Sequence, residues 1–273
     1  MKIIHLSDVH GAHSFSEKEI SNFLNKMKIS IQKEGFDKCD FIVFSGDLAN
    51  KGKKESFRKT EEIIEEIKNW FSPSKVPFLL VPGNHDLDLT DPAEMLKNYN
   101  NSVFKITGSE EQLFKKNGCL VLDVKDCQAI LCNSSFHLDH SYGKIDLLSL
   151  KECLNSPSSK KYRIVVMHHH LISASNEASE IRNAYEVFLQ LHRFKIDGIF
   201  HGHVHMHFYF QIGTSKIPIV GSGGLFSENA RNICNQFNLI DLENKNFWTL
   251  KYSGDKVIAG DLGAFVKLEE INE

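Results

Sequence analysis

Residues 2–10, KIIHLSDVH, join a short apolar run to two polar side chains, Asp8 and His10. The run is rich in branched apolar residues, which is typical of a buried strand. Two later segments repeat the arrangement: residues 40–50, DFIVFSGDLAN, and residues 78–86, FLLVPGNHD. Each places Asp, Asn or His directly after the apolar run. The sequence therefore predicts several polar loops at strand ends.

Amphipathic segments separate these three strands. Residues 16–33 carry apolar side chains at helical spacing, and Ser16 followed by Glu19 fits a capping box at the start of a helix. A second helix is predicted over residues 54–70. Alternation of strands and helices predicts parallel strands joined by crossover helices. The polar loops would then share the carboxyl edge of one sheet, where open α/β sheets bind their ligands.

Further elements follow without a repeat or a linker, so we expect one domain over residues 1–273. The predicted strands are Cys119–Val124, Gln128–Asn133, Arg163–Met167 and Ile196–Phe200, with a helix around Glu177–Arg193. The last quarter lacks intervening helices and predicts an antiparallel or mixed second sheet from the strands His207–Ile212, Lys216–Val220, Phe237–Leu242, Phe247–Tyr252 and Ala264–Leu268.

The bulk composition is that of an ordinary globular protein, with 41% hydrophobic and 25% charged residues. A net charge of −3 gives no support to binding of nucleic acid or membrane through bulk electrostatics. No signal peptide or membrane-length apolar run is present, so we expect a cytoplasmic protein with no membrane partner. Its six cysteines form no Cys-x-x-Cys pair and are expected to be buried, reduced thiols.

Histidine is unusually abundant: eight of the 14 histidines lie between His168 and His207. Together with the strand-end loops, this region supplies seven possible metal ligands, which are Asp8, His10, Asp47, Asn84, His168, His203 and His205. Carboxylate, amide and imidazole donors suit manganese, iron, zinc or cobalt. Seven ligands are too many for one catalytic ion that keeps an open position. Two ions sharing a carboxylate would instead activate water against a phosphate ester.

These motifs closely resemble those of the calcineurin-like metallophosphoesterase superfamily. Its signature is Asp-x-His, Gly-Asp-x-x-Asn/Asp, Gly-Asn-His-Asp/Glu, a His and Gly-His-x-His, and all five motifs occur in order across Asp8–His205. The resemblance implies an α/β fold, a four-layer α/β/β/α sandwich with two mixed β-sheets and the metal site at the strand C-terminal rim.

The resemblance also implies a role for each site residue. One ion would take Asp8, His10, Asp47 and His205, and the other would take Asp47, Asn84, His168 and His203. Asp47 would be the bridge. His85 would be catalytic, protonating the leaving group or stabilising the developing charge. Asp86 would orient a neighbouring group or cap its loop. Asn50 stands where many relatives have Asp, so help from that position to the catalytic histidine is not expected.

Several histidines have more than one interpretation. Only one of His168, His169 and His170 is needed as a ligand, and the resemblance favours the first. His169 would point towards substrate or pack under the site. His13 would line the substrate cleft or lie on the surface. His5 is expected to be a hydrogen-bonded core residue, and His201 and His207 are either outer groups of the site or residues on a strand face.

Three functions fit these motifs. The leading hypothesis is hydrolysis of small phosphodiesters such as cyclic nucleotides, because residues 81–86 and 141–146 resemble the cyclic-nucleotide phosphodiesterase branch. His170-Leu171 departs from the ordinary pattern of the family, which has Pro after His-His. A nuclease is the alternative, but no basic capping module is visible. A non-catalytic scaffold of the same fold is less favoured, because every ligand position and His85 are intact.

Overall fold

The computed structural model describes residues 1–72, 75–115, 118–139, 141–172, 179–226, 235–253 and 256–261. Within these ranges the strands are β1 (Lys2–Leu6), β2 (Phe41–Phe44), β3 (Phe78–Leu80), β4 (Cys119–Val124), β5 (Cys127–Cys132), β6 (Tyr162–Val166), β7 (Gly198–His201), β8 (Phe208–Ile212), β9 (Ile217–Gly221), β10 (Asn235–Asp241), β11 (Asn246–Ser253) and β12 (Lys256–Asp261). The α-helices are α1 (Glu17–Lys33), α2 (Lys54–Asn69), α3 (Lys97–Thr107), α4 (Leu147–Leu154) and α5 (Ala184–Leu191).

The strands form two six-stranded mixed sheets. The first has the order β12-β11-β10-β1-β2-β3, in which β1, β2 and β3 run parallel and β10 pairs antiparallel with β1. The second has the order β4-β5-β6-β7-β9-β8, in which β5, β6, β7 and β9 run parallel. Parallel strands thus form one half of the first sheet and the centre of the second, and their carboxyl ends carry the polar loops.

Alternating side chains of the second sheet join two different cores. On β5, Ala129 and Leu131 belong to a large apolar core shared with the first sheet and with α1, α2 and α3. Ile130 and Cys132 face the other way and pack in a second core with α4 and α5. This period-two division is what a sheet covered on both faces requires. The layers are therefore helices, sheet, sheet and helices, as expected for a four-layer α/β/β/α sandwich.

The predicted strands of the first half and helices α1 and α2 are confirmed. Ser16 caps α1, and Glu19 completes the predicted capping box. Helix α5 is shorter than predicted, because Ile181 instead pairs with Gly143 in an isolated β-bridge. Among the described residues, no helix is long and apolar enough to cross a membrane.

The predicted mixed second sheet exists, but the last strands do not all belong to it. Strands β8 and β9 extend the sheet of β4–β7, whereas β10 and β11 extend the sheet of β1. Strand pairing between distant segments decides this division, and local pattern carries no information about it. The predicted strand Ala264–Leu268 lies outside the described residues.

Candidate metal centre

Five loops converge at one rim of the sandwich. Each begins directly after a parallel strand: β1, β2 and β3 of the first sheet, and β6 and β7 of the second. Because all five strands end at this rim, residues more than 190 positions apart in sequence come into contact, such as His10 and His205. The rim brings together all seven predicted ligands, which fall into two groups that share Asp47.

The first group surrounds Asp8 and His10. The Nε2 atoms of His10 and His205 lie 3.1 Å apart, and His205 Nε2 lies 3.3 Å from Asp8 Oδ1. Asp47 Oδ2 is 3.7 Å from His10 Nε2. The Asp8, His10 and His205 donor atoms lie close enough together to hold one metal ion. Their mixture of carboxylate and imidazole suits a divalent transition metal.

The second group surrounds the Nε2 atom of His168. Asn84 Oδ1 lies 3.0 Å from this atom, and both Asp47 Oδ2 and His203 Nδ1 lie 3.3 Å from it. His168 Nδ1 donates a hydrogen bond to the carbonyl of Ser45 over 2.8 Å, which leaves Nε2 as the nitrogen that could bind a metal ion. Asp47 Oδ2 therefore contacts both groups, as a bridging ligand must.

Five of the seven donor residues have left-handed backbone conformations. Their φ angles are 54° at Asp8, 49° at His10, 54° at Asp47, 74° at His203 and 56° at His205. Non-glycine residues in this region are uncommon and cost about 1–3 kcal/mol each when strained. Such conformations persist where the surrounding structure enforces them, and they cluster at functional sites. The backbone therefore gives evidence for a site that is independent of side-chain type.

Glycines allow the loops to approach one another closely. A Cβ atom at Gly83 would collide with the Asp47 carboxylate and backbone, and one at Gly46 would collide with the His168 ring. Gly46 also has a φ of +100°, which side chains rarely tolerate. Both glycines belong to the motifs that end β2 and β3. Their presence is thus explained by packing of the donor loops.

Burial and neighbouring charges set the protonation of the donors. Burial opposes charge at Asp47, yet the His168 imidazole holds the pKa of that carboxyl well below its usual value. Burial lowers the pKa of His10 to about 4 and that of His203 to about 3, so both rings are neutral at neutral pH. Burial also opposes charge at His168, but Asp47 raises its pKa to about 9. Ionised carboxylates beside the neutral imidazoles of His10 and His203 favour a cation, and binding of a cation at His168 would release the proton of that ring.

His85 lies beside the donors without joining either group. Its ring meets that of His10 edge to face, with 5.0 Å between ring centroids. Its backbone N–H donates to Asp47 Oδ1 over 2.8 Å, which orients the shared carboxylate. Asp86 is fully buried and caps two loops, accepting hydrogen bonds from the backbone N–H groups of Ala49 and Gly83. Burial, followed by the charge of Asp47, raises the Asp86 pKa to about 7.

The remaining histidines have other surroundings. His169 is buried, with Nδ1 2.8 Å from the Ser134 hydroxyl and its ring 4.4 Å from that of His203. It therefore packs under the site. His5 is a core residue whose Nε2 lies 2.9 Å from Ser45 Oγ, as expected. His13 is exposed, and His201 is buried on β7.

Sequence reasoning missed Ser134, which follows β5 and contacts both the ring and the backbone N–H of His169. Ser134 could have been suspected from the sequence, because it directly follows a predicted strand, as the possible ligands do. Asn50, which stands at the variable position of the second motif, has its backbone N–H bound to Ser56 Oγ. This hydrogen bond ties Asn50 to the start of α2 and not to a proposed metal ligand.

A sequence profile described as calcineurin-like phosphoesterase matches residues 1–207, which include all seven donors. The protein belongs to the calcineurin-like phosphoesterase family, whose members use divalent metal ions. The donor chemistry and its convergence fit such ions. The expected family and fold class are thereby confirmed.

Similar proteins carry phosphodiesterase names. A probable cyclic nucleotide phosphodiesterase of Ruthia magnifica subsp. Calyptogena magnifica is 24% identical over 246 residues, which cover 87% of this chain and 93% of that protein. The 3',5'-cyclic adenosine monophosphate phosphodiesterase CpdA of Haemophilus influenzae is 27% identical over 218 residues, which cover 75% of this chain and 70% of that protein. The structure of a dimetal phosphatase from Danio rerio shows the same fold, with a TM-score of 0.60 at 12% identity. The alignment covers 96% of this chain and 95% of that chain.

Proposed function

We propose that this protein is a dinuclear metal-dependent phosphodiesterase that hydrolyses small phosphodiesters, with cyclic nucleotides as the leading substrate class. The observation that carries the proposal is the position of Asp47 Oδ2, 3.7 Å from His10 Nε2 and 3.3 Å from His168 Nε2. One carboxylate oxygen shared by two donor groups is the arrangement that a pair of ions needs. The names of the similar proteins support the diester preference.

The proposed ligands follow the two groups. Asp8, His10, Asp47 and His205 would hold one ion, and Asp47, Asn84, His168 and His203 would hold the other. Manganese, iron, zinc and cobalt suit these donors. When bound, such a pair acidifies water and offsets the negative charge of a phosphate during in-line attack. We also propose that residues 1–273 form one domain, since both sheets contribute donors to one site.

His85 is the proposed catalytic residue. Its ring stands beside His10 while its backbone N–H is committed to Asp47. A half-buried imidazole next to the donors but outside both groups suits a role on the substrate. We assign it to the leaving oxygen, which it would protonate as the ester bond breaks. The backbone N–H groups of His85 and His203, which donate to Asp47 and Asp8, would hold these carboxylates in place meanwhile.

Assays of metal-reconstituted protein test the proposal. The substrates are p-nitrophenyl phosphate, bis(p-nitrophenyl) phosphate, cyclic AMP, a glycerophosphodiester, and single- and double-stranded DNA. We expect the small diesters to be hydrolysed faster than the monoester and DNA, and a chelator to abolish turnover. Faster hydrolysis of DNA would establish a nuclease instead. Metal-loaded protein that hydrolyses none of them would favour a scaffold.

A further inference from the structure

Three cysteine side chains meet on the helix-covered face of the second sheet, away from the metal donors. The Sγ atoms of Cys119 on β4 and Cys132 on β5 are 3.1 Å apart. Cys153, near the end of α4, also interacts with the Cys119 thiol. Cys132 and Cys153 belong to the apolar core between this sheet and helices α4 and α5. None of the three takes part in the proposed phosphoesterase chemistry.

The backbone places Cys119 and Cys132 directly opposite each other in the antiparallel β4–β5 pair. The adjacent pair is hydrogen-bonded, because Asn133 N–H donates to the Gly118 carbonyl over 3.1 Å. Hydrogen-bonded and non-hydrogen-bonded pairs alternate along such a ladder, so the cysteines occupy a non-hydrogen-bonded position. Opposed Cα atoms there are about 4.5 Å apart, within the range of about 4.4–6.8 Å that disulfides span.

Access to the two thiols differs. Cys119 is half-buried on β4, the edge strand of the second sheet, whereas Cys132 is fully buried on β5. The contact with Cys132 raises the pKa of the Cys119 thiol well above its ordinary value. Cys119 is therefore a neutral thiol at neutral pH, which allows the close sulfur contact. Cys119 is the more exposed residue of the two, so we expect an external reagent to reach it before Cys132, which would be the resolving thiol.

We propose that Cys119 and Cys132 are a thiol–disulfide exchange site that closes reversibly to a cross-strand disulfide with a low-molecular-weight disulfide of the glutathione type. The Cys119 thiol loses its proton to water, and the thiolate then attacks one sulfur of the glutathione disulfide and releases one glutathione, which takes up a proton. The Cys132 thiolate then attacks the Cys119 sulfur and releases the second. The protein loses two protons and two electrons, and the reagent takes them up as two thiols. An excess of reduced glutathione runs both steps backwards.

Cys153 is the other possible partner of Cys119 in a disulfide within the same cluster. Its thiol approaches Cys119 from a helix, whereas Cys132 is held opposite Cys119 by strand pairing. Closing a Cys119–Cys132 bond requires no change of strand register, so we expect this bond to form. The buried cysteines Cys39 and Cys127 lie outside the cluster and serve as controls.

The test is equilibration of the folded full-length chain with glutathione buffers of increasing oxidised fraction, followed by alkylation and mass spectrometry. We expect two of the six thiols to be lost together, and the digest to contain a peptide with Cys119 bonded to Cys132. Cys127 and Cys132 share one tryptic peptide, so fragmentation of the linked pair assigns the partner. Reduced glutathione should restore both thiols.

Variants separate the outcomes. Cys119→Ser and Cys132→Ser should each abolish the internal bond, whereas Cys127→Ser and Cys153→Ser should retain it. The oxidised wild-type chain should melt at a higher Tm than the reduced chain, because the bond ties the edge strand to its neighbour. A Cys119–Cys153 bond, stable glutathionylation of Cys119 without a second thiol lost, or no loss of thiols would each overturn the proposal. None of these results depends on phosphodiesterase activity.

Discussion

Asp47 is the residue on which the two donor groups depend. It is almost fully buried, its Oδ2 faces His10 and His168, and its Oδ1 accepts the backbone N–H of His85. The positive φ of Asp47 directs the carboxylate into the rim at a cost in backbone energy. A residue placed in this way serves both groups at once, so its replacement affects both.

Asp47→Asn should lose both ions and slow diester hydrolysis by more than about 100-fold, since even outer-shell changes at metal sites cost about 10–100-fold. The substitution keeps the side-chain shape and removes the negative charge. Metal content by elemental analysis and turnover on bis(p-nitrophenyl) phosphate are the measurements. Asp123→Asn, on an exposed position of β4, is the control and should keep both. Two retained ions with full turnover would show that Asp47 does not bridge.

His85→Asn should keep both ions and slow the chemistry, because His85 stands outside both donor groups. Loss of a general acid typically costs about 10²–10⁴-fold. The defect should be larger for an alkyl ester than for a p-nitrophenyl ester, whose leaving group departs without a proton. Exposed His192→Asn is the matched control. Equal slowing on both esters would indicate electrostatic stabilisation, and loss of an ion would make His85 a ligand.

At the residue scale the sequence predicts which residues are the possible ligands better than it predicts which atom of each side chain faces the site. The seven donor positions could be named because each follows an apolar strand in a motif of fixed spacing. The sequence does not show that His203 presents Nδ1 whereas His168 presents Nε2, because ring orientation depends on packing. Nor does it single out Ser134, whose contact with His169 arises only when β5 and β6 pair.

The turns that follow the strands position the donors as much as the strands themselves. Gly83 lies after β3 with φ −98° and ψ −179°, a conformation that alanine adopts readily. Its neighbour across the rim is Asp47, and a methyl group at Gly83 would overlap the carboxylate. The need for glycine here is therefore steric, and arises from the contact between two loops.

Gly83→Ala should displace Asp47 and lose metal while leaving the fold intact. Metal content, turnover and the circular dichroism spectrum check this together. Gly108→Ala at the end of α3 is the control: its φ is +68° but its Cβ would meet nothing within 4 Å. That variant should be less stable because of backbone strain and should keep both ions. Full metal occupancy in Gly83→Ala would contradict the steric argument.

Helix α1 is held by local interactions remote from the rim. Ser16 accepts the backbone N–H of Glu19, and Glu19 accepts that of Ser16. Such an element is predictable from sequence, because the pattern that defines it lies within four residues. Helix α3 was missed, although Tyr99, Val103 and Ile106 mark its buried face. Its start lacks a side-chain cap, so the usual start signal is absent.

Ser16→Ala should lower the free energy of unfolding by about 1 kcal/mol, the usual value of such a cap. Urea denaturation is the measurement, and turnover should not change. Ser21→Ala is the matched control, since Ser21 is exposed within the same helix and caps nothing there. Its unfolding midpoint should stay the same or rise slightly, because alanine is the better helix former. A loss of stability equal to that of Ser16→Ala would argue against capping.

The whole molecule joins two sheets through one site. Asp8, His10, Asp47 and Asn84 follow strands of the first sheet, and His168, His203 and His205 follow strands of the second. Each proposed ion would therefore bind residues from both sheets. This division was hidden in the sequence, because the pairing of β10 with β1 and of β9 with β7 joins segments far apart in the chain. The rim itself was predictable, since parallel strands end on a common edge.

Metal binding should therefore stabilise the sandwich as a unit. An ion that binds only the folded state adds about 2.7 kcal/mol at 100 times its dissociation constant. Addition of Mn²⁺ to chelator-treated protein should raise the Tm, and the rise should grow with metal concentration. Asp47→Asn should show little or no rise, whereas Asp123→Asn should behave as the wild type. The same Tm with and without Mn²⁺, in protein shown by elemental analysis to have bound it, would mean that the ions do not hold the two sheets together.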